Sequence, residues 1–242
     1  MLFSKKDIRK IMPPPFQARH SEYSMIFSLD DDPSPASDYL VSVALEAVRK
    51  ARGINLDDLC ERMKAPPYYP NIWPGEHYKL LAGLMISLKP RAVVEIGTSM
   101  GLSALAMKKY LPPESKIFTF DIRDWRSDPG YFLREEDFAD GRLVQFLGDL
   151  SDPAVFLKYG EILKNADFIF LDASKDGVTE KRFLENFRLI PFRGRMLILL
   201  DDIRLWNMLK IWRGISMTKL DLTSFGHWSG TGIVEWRSSN LR

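Results

Sequence analysis

The sequence predicts an α/β fold: a mainly parallel sheet with helices on both faces, a C-terminal antiparallel hairpin and an N-terminal helical extension. Three observations predict it. From residue 92 onward, short apolar runs alternate with stretches of helical composition, as βαβ units require. The first run, Ala92 to Ile96, leads into Gly97-Thr98-Ser99-Met100-Gly101, a turn of the kind that joins a buried strand to the helix behind it. Residues 219–223 and 232–236 then read as strands with no helix between them, so they should pair as a hairpin at the sheet edge.

Taken in order, residues 1–36 carry Pro13-Pro14-Pro15, Asp30-Asp31-Asp32, Pro33 and Pro35 and read as an arm with little regular structure. Its composition leaves a homodimer, with the arm lying across a second copy, as an open expectation. Residues 37–52 read as a helix capped by Ser37 and stopped by Gly53, with Leu40, Ala44, Ala47, Val48 and Ala51 on one face. A short helix follows over 56–64, with Asn55 as cap. Pro66-Pro67-Tyr68-Tyr69-Pro70 marks a boundary, which divides the chain into an arm and helical extension (1–73) and a main domain (74–242). A helix over 74–88 shows a Leu80, Leu81, Leu84, Leu88 stripe. Trp73, Glu76, His77 and Tyr78 stand at its start, either as a lid or as plain aromatic packing. Strands are expected at 92–96, 116–121, 143–147, 167–171 and 196–200. Helices are expected at 101–110, 131–139, 152–163, 177–188 and 203–213.

Composition bounds the function classes. The 242 residues are 45% hydrophobic and 27% charged, which suits a soluble globular protein with a sizeable core. A net charge of +2 supplies no field to recruit nucleic acid or a membrane surface. Cys60 is alone, so no internal disulfide forms, and a core thiol is its simplest role. The charged start lacks a signal-peptide core, and no apolar run approaches the roughly 18 residues of a membrane span. The expectation is a cytoplasmic protein.

The acids carry the functional signal. Glu95, Asp121, Asp149, Asp172 and Asp201 each fall at or just past the C-terminal end of an expected strand, the edge where open α/β sheets bind ligands. Five carboxylates gathered there repel one another unless a cation or polar ligand sits among them; each alone could also cap the following helix. Asp121, 26 positions after Glu95, is placed to accept hydrogen bonds from a ribose diol. Asp149 and Leu150 are placed to flank a purine. The glycine turn has no P-loop lysine, so a nucleoside with little or no phosphate is the expected ligand. Asp172, Asp201 and Asp202 offer hard oxygen donors that suit Mg²⁺, Ca²⁺ or Mn²⁺ rather than zinc.

With these residues in place, the stretch from about 74 to 237 resembles the class I S-adenosylmethionine-dependent methyltransferases, which have a Rossmann-like fold. The nearest likeness is to the metal-dependent O-methyltransferases of the catechol and caffeoyl-CoA type. Val-Val-Glu-Ile-Gly-Thr-Ser-Met-Gly at 93–101 resembles the family's first motif, and Asp121 and Gly148-Asp149-Leu150 its ribose and adenine positions. Leu-Asp-Ala-Ser-Lys-Asp at 171–176 resembles the segment that supplies one metal ligand and a lysine base. The resemblance therefore assigns Glu95, Gly97, Thr98, Ser99, Gly101, Ser103, Asp121, Asp149, Leu150 and Asp172 to the cofactor. It assigns Asp172, Asp201 and Asp202 to a divalent cation, with Mg²⁺ the first choice, and Lys175 to proton abstraction. Asp202 replaces the Asn usual in catechol-type enzymes, as in similar sugar O-methyltransferases of antibiotic pathways, which leaves the acceptor open.

The implied function is methylation of a hydroxyl on a small acceptor, a polyhydroxylated aromatic or a sugar. Lys175 serves as base if a nearby cation and burial lower its pKa; His227, in the hairpin loop, is its competitor or else a structural histidine beside Trp228. Trp206, Trp212 and Trp228 either wall a planar acceptor or simply pack. The rivals are a metal-independent methyltransferase of the same fold and a nucleoside-binding protein without catalysis.

Overall fold

The computed structural model describes residues 36–63, 68–127 and 130–237. The expected arm, its dimer contact and Pro66-Pro67 fall outside the described residues. Strands β1 (Ala92–Ile96), β2 (Lys116–Asp121), β3 (Leu143–Leu147), β4 (Phe168–Leu171), β5 (Met196–Asp201), β6 (Lys219–Asp221) and β7 (Thr231–Trp236) form one sheet in the order β3-β2-β1-β4-β5-β7-β6. The first five are parallel, and β7 runs antiparallel to both β5 and β6. The expected hairpin therefore sits at the sheet edge. Strand order reverses direction between β1 and β4, and crevices open at such switch points.

Successive residues of the central strands face opposite layers. Val93, Phe168, Phe170, Leu197 and Leu199 join a core with α1 (Asp38–Ala51), α3 (Tyr78–Leu88) and α4 (Leu102–Tyr110). Val94, Ile169, Leu171, Ile198 and Leu200 join a second with α5 (Pro153–Lys158), α6 (Gly160–Lys164), α7 (Thr179–Phe187) and α8 (Trp206–Arg213). Burial on both faces explains why these strands read as unbroken apolar runs.

Ser37 caps α1 by accepting from the Leu40 N–H. The short helix α2 (Asp57–Cys60) begins after an Asn55 side chain that accepts from Asp57 N–H at 2.8 Å. Half-buried Cys60 has its thiol pKa pushed up by burial, which disfavours the reactive thiolate. The α1 and α3 helices cross closely because Gly83 has no side chain: a Cβ there would stand 2.4 Å from the Ala47 carbonyl oxygen.

Three expectations are corrected. The helix foreseen at 74–88 starts only at Tyr78, because residues 73–77 turn to meet the C-terminal loop: Gly75 N–H donates to Gly226 O, and Trp228 N–H to Gly75 O, each at 2.9 Å. The helix foreseen at 152–163 is broken in two at Tyr159. No α-helix forms over 131–139, which holds one 3-10 turn at Glu135–Asp137. Tertiary ties overrule its local propensity. Phe132 N–H donates to Met100 O at 2.9 Å, Leu133 lies over Gly101, and Asp137 takes a two-pronged ion pair from Arg62.

Candidate active site

The glycine turn lies at the switch point. Gly97, at φ 101°, passes so near the end of β4 that a Cβ would stand 1.9 Å from the Asp172 carbonyl oxygen, so only glycine fits there. Glu95 does not reach the surface. It is fully buried beneath the turn, where Ser103 Oγ donates to Oε1 at 2.5 Å and Thr119 Oγ1 to Oε2 at 2.6 Å. Thr98 and Thr119 hydroxyls stand 2.7 Å apart, so Glu95 anchors both the turn and the start of α4. Burial pushes its pKa up to about 7, against the two hydroxyl hydrogen bonds that lower it.

Two cavities meet at this turn. One, of about 500 Å³, is lined by Gly97, Ser99, Asp121, Asp149, Leu150 and Asp172, among others. The second, of about 660 Å³, is lined by Thr98, Gly101, Ser103, Tyr69, His77 and Tyr78, with Tyr131 and Phe132 from the segment expected to be helical. Ser99, Met100, Tyr131 and Asp172 line both. Asp121 Oδ2 accepts from Ser99 N–H at 3.0 Å and its Oδ1 from Arg123 N–H at 3.0 Å. Asp149 accepts from Ser151 N–H at 2.8 Å, while Leu150 is buried.

Beside Asp172 the remaining acids converge. Oxygens of Asp172, Asp201 and Asp202 all lie within 4.8 Å of one another. The Lys175 ammonium bridges Asp172 and Asp202, 3.1 Å from Asp202 Oδ2. Burial disfavours that charge, but Asp172, Asp201 and Asp202 outweigh it and hold the Lys175 pKa above its ordinary value. The lowering expected from the sequence is tied to a nearby cation, and these carboxylates act in the opposite direction. Burial likewise raises Asp172; it also works against the Asp202 charge, but the His227 hydrogen bond, the Lys175 charge and the Ser229 hydrogen bond together outweigh it and lower that carboxyl.

Strained backbone holds the arrangement. Among the described residues, the non-glycine positions with left-handed backbone are Lys89, Ser99, Lys175 and Asp202, and three of them stand here. Each costs about 1–2 kcal/mol and persists only where its surroundings impose it. Buried Glu180 does so for the lysine loop, accepting from Lys175 N–H at 2.6 Å and Gly177 N–H at 2.9 Å. Its place in the first turn of α7 was the only sequence signal for it.

The sequence missed most of what surrounds Asp201. His77 Nδ1 and His227 Nδ1 each stand 3.3 Å from Asp201 Oδ2, and His227 Nε2 stands 3.5 Å from Glu76 Oε2. His227 Nδ1 is also 3.1 Å from Asp202 Oδ1, and Ser229 Oγ donates to the same oxygen. His227 thus belongs to the cluster and also meets Trp228, with ring centroids 5.5 Å apart. Burial works against its charge, yet hydrogen bonds to Asp201 and Asp202 push its pKa up to about 10. Trp228 is 72% exposed and Trp212 is buried in the second core, so neither forms a wall of the two cavities; the Trp206 side chain lies outside the described features.

Comparison with known proteins gives a consistent result. A family model described as O-methyltransferase matches residues 72–211. A crystal structure from Klebsiella pneumoniae, provisionally assigned as an O-methyltransferase, is 18% identical, with 80% of this chain and 96% of that chain covered and a TM-score of 0.50. Likeness also extends to the SAH-bound methyltransferase PaMTH1 of Podospora anserina, at 19% identity, 81% and 88% coverage and a TM-score of 0.45. TomG of Streptomyces achromogenes, an O-methyltransferase involved in tomaymycin synthesis and solved with SAM, is 18% identical, with 85% and 92% covered and a TM-score of 0.46.

Proposed function

Because the chain belongs to the O-methyltransferase family, we propose that its two adjoining cavities hold S-adenosylmethionine and a small hydroxylated acceptor, with a divalent cation, Mg²⁺ first, at the acids between them. The observation that carries this is the meeting of the cavities at Ser99 and Asp172, beside the cluster of Asp172, Asp201, Asp202 and Lys175. The bound cofactor supplies a methyl group already activated as a sulfonium, so the protein's task is alignment and proton removal.

In the first cavity Asp121 faces the ribose diol as a hydrogen-bond acceptor, and Asp149 and Leu150 flank the purine. The turn at 97–101 lets the backbone pass close to the methionine portion, with Glu95 and Ser103 supporting it from below. In the second cavity Tyr69, Tyr78, Tyr131 and Phe132 offer apolar and aromatic walls suited to a ring. The acid set fits a hard cation: three carboxylates converge without cysteine, faced by the Lys175 ammonium and the His227 imidazole. A cation held by Asp172, Asp201 and Asp202 supplies a Lewis acid and a template for two vicinal oxygens. Lys175 accepts the acceptor's proton only once a bound cation offsets the Asp172, Asp201 and Asp202 charges that hold its pKa up.

Isothermal calorimetry with S-adenosylhomocysteine, with and without Mg²⁺ or chelator, tests the cofactor. A Kd of tens of micromolar or tighter, about −6 kcal/mol or better, is expected; no binding overturns it. A methyl-transfer screen over catechols, flavonoids, sugars and hydroxylated antibiotics identifies the acceptor class. Turnover should fall with chelation and be abolished in Asp172→Ala and Asp202→Ala; near-normal rates in those variants remove the acids from the site.

A further inference from the structure

Next to the oxygen-only set stands a second group of different chemistry. His77, Asp201 and His227 present ligand atoms that all lie within 4.8 Å of one another. His77 is 4% exposed, and neither of its ring nitrogens has a hydrogen-bond partner among the described residues. Asp201 Oδ1 and Glu76 Oε2 are buried and unbonded in the same place. Buried polar atoms are normally satisfied, and the unbonded His77 ring and Asp201 Oδ1 both belong to this group.

The spacing says what kind of partner. His77 Nδ1 and His227 Nδ1 converge on one carboxylate oxygen, both standing 3.3 Å from Asp201 Oδ2. Two ligands on one tetrahedral ion, each bonded at about 2.0–2.1 Å, are roughly 3.3–3.4 Å apart. The other nitrogen of His227 faces Glu76 Oε2 at 3.5 Å, the arrangement in which a carboxylate fixes the orientation of a metal-bound imidazole. Lys175 serves the oxygen set through Asp172 and Asp202.

We propose that His77, Asp201 and His227 form a transition-metal site, with Glu76 behind His227 and Asp201 shared with the oxygen-only set. Two imidazoles and a carboxylate select Zn²⁺, Co²⁺, Ni²⁺ or Cu²⁺ over Mg²⁺. Which molecule accepts the methyl group makes no difference to the binding of this ion.

The test uses tag-free, chelator-stripped full-length protein carrying His20→Gln, which leaves His77 and His227 as the only imidazoles in the chain. Calorimetry follows Co²⁺ and Mg²⁺ binding, and pulsed electron paramagnetic resonance of the Cu²⁺-loaded protein reads nitrogen couplings. Co²⁺ should bind on the order of 100-fold more tightly than Mg²⁺, and two imidazole nitrogens should couple to Cu²⁺. His77→Gln should weaken Co²⁺ by at least about tenfold, while Asp172→Asn keeps the nitrogen couplings. The proposal is overturned if Co²⁺ fails to bind or if no imidazole couples. It is also overturned if His77→Gln leaves affinity unchanged while Asp172→Asn abolishes it; the ion then lies in the oxygen set alone, and the proposed function stands. Should His77→Gln fail to fold, the couplings in the parent protein decide.

Discussion

Glu95 shows how one side chain can set the pH behaviour of a site it never touches. Its pKa rises from 4.5 to about 7 on folding, so the folded chain binds this proton more tightly than the unfolded one. The associated stability is fully present below pH 4.5 and is lost as pH rises through 7. Glu95→Gln has no proton to lose. Its stability relative to the parent should therefore improve by on the order of 3 kcal/mol between about pH 5 and pH 8, read by urea denaturation at both values; a difference that stays flat would refute the account. At this scale the sequence was informative about carboxylates, because an acid at the end of an apolar run stands out. It was nearly silent about His77, Glu76 and Glu180. Their roles depend on neighbours brought from distant segments, and nothing in the local spacing announces those neighbours.

Among the elements, β1, β2 and β3 were legible to the residue: β1 is buried on both faces and leaves an apolar run, while β2 and the edge strand β3, less buried, are marked by their apolar and aromatic residues. The 131–139 segment was not. Its helical composition lost to Met100, Gly101 and Arg62, none of which is local. The end of α8 offers a quantitative check. Lys219, at the start of β6, buries its ammonium against the carbonyls of Trp212 at 2.9 Å, Arg213 at 3.2 Å and Ile215 at 2.8 Å. A cation on exposed helix-end carbonyls is favoured by the helix dipole and by charged hydrogen bonds. Lys219→Met should cost about 2–3 kcal/mol, measured as a lower urea midpoint; an unchanged midpoint would show that water satisfies those carbonyls equally well.

For the molecule as a whole, ligand and stability are linked, since the cleft draws its walls from residues on both helical layers, between Arg62 and Phe183. S-adenosylhomocysteine at 100 times its Kd should add about 2.7 kcal/mol and raise Tm by roughly 5–10 °C; a thermal scan without a shift would contradict binding by the folded state. Among the described residues, no helix is long and apolar enough to cross a membrane. The stitching of residues 73–77 to the loop before β7 carries a consequence for assembly in time. Trp73 Nε1 donates to Phe225 O at 2.7 Å across 152 positions of sequence, and contacts of such separation form late because of their loop-closure entropy. Growing from its N-terminus at about 5–20 residues per second, the chain emerges with every residue lining the proposed nucleoside cavity several seconds before His227. A nascent chain can therefore shape the cavity proposed for the nucleoside while the cluster around Asp201 and Asp202 still lacks His227, so that cluster is the last to close.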